Sequence, residues 1–190
     1  MKTILKLPFL TTVLLLCLPF FLGIGSASAQ DSTATDKPKL RLEVHKKARE
    51  LHVFQGDEKT ATYPIGLGFA PDGHKVEEGD GKTPEGRYVV CVKNPQSRYY
   101  LSLGLNYPNA EDAERALADG RISKAEAEAA RQAEARGVCP SWKTRLGGEI
   151  YIHGRGSSSD WTLGCVALDD GPMKKLFEST PVGTEVRILP

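Results

Sequence analysis

Residues 149–168, EIYIHGRGSSSDWTLGCVAL, carry the strongest structural and chemical signal in this chain. Glu149 to His153 alternates, which sends Ile150 and Ile152 to one face of a strand and Tyr151 and His153 to the other. Gly154 to Gly164 opens with four glycines or serines in its first five residues, a loop composition, and Val166-Ala167-Leu168 resumes an apolar strand. A strand, loop and strand in this order can return Cys165 to His153, eleven residues lying between them. A thiol is a weak nucleophile near pH 7 until a base or a positive neighbour lowers its pKa, and an imidazole within hydrogen-bond reach does that. Cys165 and His153 are therefore the candidate nucleophile and base.

The segments around this stretch read as more β structure. Leu40, Leu42 and Val44 alternate with Arg41 and Glu43, and Leu51-His52-Val53-Phe54 follows, which suggests a first hairpin. Tyr63 to Leu67, Arg87 to Lys93 and Tyr99 to Leu103 continue the strand pattern, punctuated by glycines and prolines. The period then changes. Asn109 can cap a helix over Ala110 to Ala118, stopped by Asp119-Gly120. Ser123-Lys124-Ala125-Glu126 has capping-box spacing, the alanine-rich run to Arg136 favours helix, and Gly137 suits its stop. This helical hairpin is poor in large apolar residues, which suits a solvated excursion; a lid over the cleft is the other reading. Asp169 or Asp170 caps a short helix through Phe177, and Thr184 to Leu189 forms a last strand. The fold class expected is mainly β (α+β), with an inserted helical hairpin and peripheral short helices.

Lys2 and Lys6 precede an apolar run from Leu7 that ends at Ala27-Ser28-Ala29, the pattern of a secretory signal peptide. Pro19 and the Ala-x-Ala site argue against an uncleaved anchor, and Leu16 stands where a lipidated Cys17 would need a small residue. The organisation expected is a signal peptide at 1–29, a flexible lead at 30–38 and one domain at 39–189, with 109–137 as its helical insertion. Secretion to the periplasm or cell wall follows from that reading. Removal of the leader leaves Cys91, Cys139 and Cys165, an odd number in a compartment that favours disulfides. Joining Cys91 to Cys139 and leaving Cys165 reduced is the economical arrangement, with other pairings open. The leader takes two lysines, so 23 basic residues face 24 acidic ones, interspersed, with no nucleic-acid footprint. Neither Cys-x-x-Cys nor His-x-x-x-His spacing occurs, so a zinc site is not expected.

The His153-Gly154 pair upstream of Thr162-Leu163-Gly164-Cys165, together with Lys82-Thr83-Pro84-Glu85-Gly86, resembles the YkuD-type L,D-transpeptidase family over roughly residues 39 to 189. Tyr99 to Gly104, Leu146 to Glu149 and the helical insertion look like its YafK-like branch. The resemblance implies that Cys165 attacks a peptidoglycan tetrapeptide stem to form a thioester, that His153 moves the protons, and that an amine from a second stem completes a crosslink. Water in place of the amine gives a carboxypeptidase, endopeptidase or amidase; a non-catalytic envelope-binding module is the reading from another class. The scheme needs no cofactor or metal, and carbapenem-type β-lactams are the inhibitors it implies. Gly164, Gly154 and Thr162 would support the cysteine turn and its oxyanion donors, and Arg155, Trp161 and Tyr99 would contact substrate. Many members of the family have histidine at the position of Leu163 and arginine at the position of Ala167. Without that arginine, a substrate carboxylate needs another partner, for which Arg155, Arg98, Lys143 and Arg145 are the candidates.

Overall fold

The alternation in Leu40-Arg41-Leu42-Glu43-Val44 becomes β1 (Leu40–His45), which pairs antiparallel with β2 (Glu50–Gln55) so that Leu42 faces Val53 and Val44 faces Leu51. All four side chains are buried, as a strand with one dry face requires. The computed structural model describes residues 38–190; the expected signal peptide lies outside the described residues, as does most of the lead that follows it. β2 continues into β3 (Glu58–Pro64), the exposed edge of the sheet. On its other side β1 pairs in parallel with the last strand, β8 (Glu185–Leu189), whose Val186 and Ile188 enter the same core.

β4 (Gly86–Ser97) links the two parts of the sheet. Its first residues, Gly86 to Val89, pair with β8, and from Val90 onward it pairs with β5 (Tyr100–Leu105) across a register shift at Val90/Val92. Such an irregularity bends a strand, which allows one long strand to serve both parts. β6 (Tyr151–His153) then pairs with β5, and β7 (Val166–Ala167) lies parallel to β6, giving the order β3-β2-β1-β8-β4-β5-β6-β7. Among the described residues, the mixed eight-stranded sheet with three short helices is the mainly β, α+β fold expected from sequence.

Two of those helices form the hairpin after β5. α1 (Ala110–Ala118) and α2 (Lys124–Ala135) both begin in capping boxes, Asn109 with Asp112 and Ser123 with Glu126. Their contact is built from small residues: Ala113, Ala116, Ala127 and Ala130 are buried together with Ile122 and Leu146. Scarcity of large apolar side chains thus reflects close approach of the helices, and no residue of α1 or α2 lines the cleft described below. A disulfide between Cys91 on β4 and Cys139 ties the exit of α2 back to the sheet. α3 (Asp170–Ser179) places Met173 and Leu176 in the main core. Among the described residues, no helix is long and apolar enough to cross a membrane.

Candidate active site

The parallel register sets Ile152 opposite Val166 and His153 opposite Ala167, so Cys165, just before β7, lies beside Tyr151, two residues back along β6 from His153. The intervening loop is held by the start of α3. Asp170 Oδ1 accepts from Arg155 N at 2.9 Å, and Asp169 Oδ1 accepts from Ser157 N and Oγ at 3.1 and 3.2 Å. Asp169 occupies the N-cap position of α3 but makes no side-chain cap bond, its carboxylate being used by the loop. A Cβ on Gly154 would lie 2.5 Å from Asp170 Oδ1, so glycine is what lets the loop sit on this helix end.

Thr162 shapes the cysteine turn. Its buried hydroxyl donates to Cys165 O at 2.8 Å and accepts from Gly164 N at 3.1 Å. Gly164 has φ +129°, and a Cβ there would lie 2.6 Å from Lys82 O, so the turn rests against the Lys82-Thr83-Pro84 segment. The Gly164 N–H is therefore engaged by Thr162, and the Gly154 N–H donates to Tyr99 O at 3.0 Å. Both groups hold the fold of the site in this state.

His153 is almost fully buried, with Tyr99 stacked on it at 4.7 Å between ring centroids and Trp161 edge-on at 5.5 Å. Its Nδ1 lies 2.7 Å from Gly154 O. A carbonyl only accepts, so Nδ1 carries the proton and Nε2 is left with its lone pair. Burial pulls the imidazole pKa below its ordinary value, against the opposing effect of the Gly154 carbonyl, and the ring is neutral near pH 7. Cys165 Sγ lies 3.4 Å from Tyr151 N, which donates to it, and 3.4 Å from Glu149 O, to which it donates. Burial pushes this thiol up to about 11, with the Tyr151 N–H opposing that shift.

These contacts correct the expected chemistry. From sequence, the chain is a cysteine-dependent transpeptidase or hydrolase with a nucleophile armed by His153. Of the three described cysteines, Cys91 and Cys139 are locked in a disulfide and have no thiol to offer. The third, Cys165, is free but protonated, with its hydrogen bonds to the backbone of residues 149 and 151 and none to His153. The structure holds a neutral thiol and a neutral imidazole where an activated pair is expected, because burial penalises both charged forms.

Both groups line one cleft of about 590 Å³, together with Tyr99, Trp161 and Thr162. Arg155 does not line it: the residue is exposed and adopts a left-handed backbone at φ +81°. Lys75, Trp142 and Glu149 do line it, and sequence reasoning does not single them out. Trp142 stands edge-on to Tyr151 at 5.9 Å, and Lys75 is buried in a turn that has no strand or helix period to mark it.

The fold and site define a β-rich domain in which a histidine at the end of β6 and a cysteine just before the parallel strand β7 line one cleft. Residues 39–188 match the family model YkuD, L,D-transpeptidase catalytic domain, and the chain belongs to this family. YafK of Escherichia coli (strain K12) is 29% identical over 125 residues, covering 56% of this chain and 49% of that protein. The chain thus spans about half the length of the curated relatives it matches. The structure of Bdellovibrio bacteriovorus Bd1075 shares the fold at a TM-score of 0.54 and 23% identity, over 83% of this chain and 50% of that one. The helical cell shape determining protein Pgp2 from Campylobacter jejuni does so at 0.53 and 24%, over 80% and 48%.

Proposed function

We propose that this chain is an exported, peptidoglycan-directed member of its family, whose cleft binds the peptide stem while Cys165 and His153 are both uncharged in the unliganded state. The observation that carries the reading is the grouping of Tyr99, Trp161, His153 and Cys165 along one cleft, aromatic walls with a few polar groups at the floor. The family match supports a peptidoglycan target, and the 29% identity to YafK supports placement in a YafK-like branch. The leader pattern at residues 1–29 supports export to the periplasm or cell wall and a mature chain that begins near residue 30. Carbapenem-type β-lactams are expected occupants of the same cleft.

Calorimetric titration with defined muropeptides tests this reading, with intact-protein mass spectrometry on the same mixtures. Saturable binding that weakens in Trp161→Ala is the expected result, and no binding of any muropeptide overturns it. A stem-derived adduct on Cys165, crosslinked dimers or shortened stems would show that an occupied cleft restores the thiol chemistry absent from the resting geometry.

A further inference from the structure

Ala167 is fully buried, and its N–H and C=O pair with Gly66 at 2.8 and 2.9 Å, so it brings no charge to the cleft. The cations that line the cleft are Lys75, Arg98 and Lys143. Arg98 is exposed, lies 4.9 Å from the Tyr99 ring centroid and donates to Tyr99 Oη at 2.9 Å; Lys143 is exposed. Their charges are screened by water. Lys75 differs. It is 3% exposed, and its Nζ donates to Glu77 O and to Asp80 Oδ1, both at 2.9 Å. An ammonium has three donors, so one remains without a protein acceptor among the described residues.

Asp80 and Lys75 form an ion pair, and the same carboxylate accepts from Val76 N, Glu77 N and Lys82 N at 2.8, 3.2 and 3.0 Å, which fixes the pair in the turn. The result is a buried ammonium held by Asp80 and Glu77 O with one N–H to spare in the lining of the Cys165 cleft, and a charge-assisted hydrogen bond from such a donor to a carboxylate is stronger than a neutral one. We infer that Lys75 is the residue that receives a carboxylate of the peptide bound in this cleft, the part that Ala167 cannot play. The inference rests on the peptide-stem reading above. A lysine that only knotted the turn at residues 75–82 would not make binding depend on whether the ligand is an acid or an amide.

Two carboxylates of a stem are possible partners, the C-terminal one and the side-chain one of the diamino acid, and three ligands separate them: the free tetrapeptide stem, its C-terminal amide and its diamino-acid amide. The full chain is titrated with each by calorimetry. One amide is expected to bind about tenfold or more weakly than the acid, the loss of a charge-assisted hydrogen bond. Lys75→Met should bind that amide and the acid alike, Lys75→Arg should recover the preference, and Lys143→Met should keep it; circular dichroism checks the fold of each. Equal binding of all three ligands by the unmutated protein overturns the assignment without any variant, and so does a Lys75→Met protein that keeps the preference. If the unmutated protein binds none of them, the peptide-stem reading fails and the assignment fails with it.

Discussion

Replacement of Thr162 by valine tests how the cysteine turn is held. Valine has nearly the shape of threonine, so the change removes the hydroxyl and little else. That hydroxyl bridges Cys165 O at 2.8 Å and Gly164 N at 3.1 Å from a position 4% exposed. Water has poor access to either partner, and a buried group left without its hydrogen bond costs roughly 1–3 kcal/mol. Two such losses, partly relieved by relaxation, place Thr162→Val at roughly 2–4 kcal/mol less stable than the unmutated protein. For a domain of this size that is a fall in Tm of roughly 5–15 °C. The backbone bonds of Thr162 to Leu67 and Phe69 do not involve the hydroxyl and are unaffected. Thr162→Ser keeps the hydroxyl and loses one buried methyl, which costs about 1 kcal/mol. Differential scanning calorimetry on the three proteins decides the matter. A valine variant that melts within about 2 °C of the unmutated protein, or a serine variant that falls as far as the valine one, refutes the reasoning.

Three other perturbations have defined outcomes. Gly164→Ala forces a side chain at φ +129° and into Lys82 O, and should cost about 2 kcal/mol or more in the urea midpoint, whereas Gly171→Ala, with open space around its Cβ, should not destabilise. Removing the Cys91–Cys139 disulfide, which closes a loop of 48 residues, as Cys91→Ala with Cys139→Ala should cost about 4 kcal/mol by loop-closure entropy in the same assay. Burial acts to raise the Asp80 carboxyl, but the Lys75 ammonium and three backbone N–H groups hold it below its ordinary value. Its stabilisation is then present above the unfolded carboxylate value and is lost as pH falls through the lower folded one; urea midpoints between pH 7 and 3 should show a shallower decline in Asp80→Asn.

Much of the fold was legible because it depends on local pattern. Leu40, Leu42 and Val44 alternate and are buried on one face, and Asn109 and Ser123 start helices with the residues that satisfy free N–H groups. The parallel pairings of β1 with β8 and of β6 with β7 carry no such mark, since partners far apart in the chain are chosen by the packing of the whole core. At the site, the spacing of His153 and Cys165 shows that a loop can bring the strands together, but their protonation is set by what covers them. Tyr99 and Trp161 dehydrate the imidazole from 54 and eight residues away, and the thiol donates its hydrogen bond to the Glu149 carbonyl. Arg155 shows the same limit in reverse: closeness to His153 in sequence did not place it in the cleft, and the residue is exposed. Lys75, 90 residues before Cys165, has no motif and is found only through the burial of its ammonium.

The central claim is that the cleft rests with a protonated Cys165 and is shaped to hold a peptide stem. Alkylation by iodoacetamide, followed by intact mass from pH 6 upward with and without saturating stem peptide, reads both parts at once, the disulfide pair being unreactive. Reactivity in the free protein is expected to rise toward a midpoint near 11, and the peptide is expected to protect the thiol. A midpoint near or below pH 7, or a rate indifferent to the peptide, would contradict that claim.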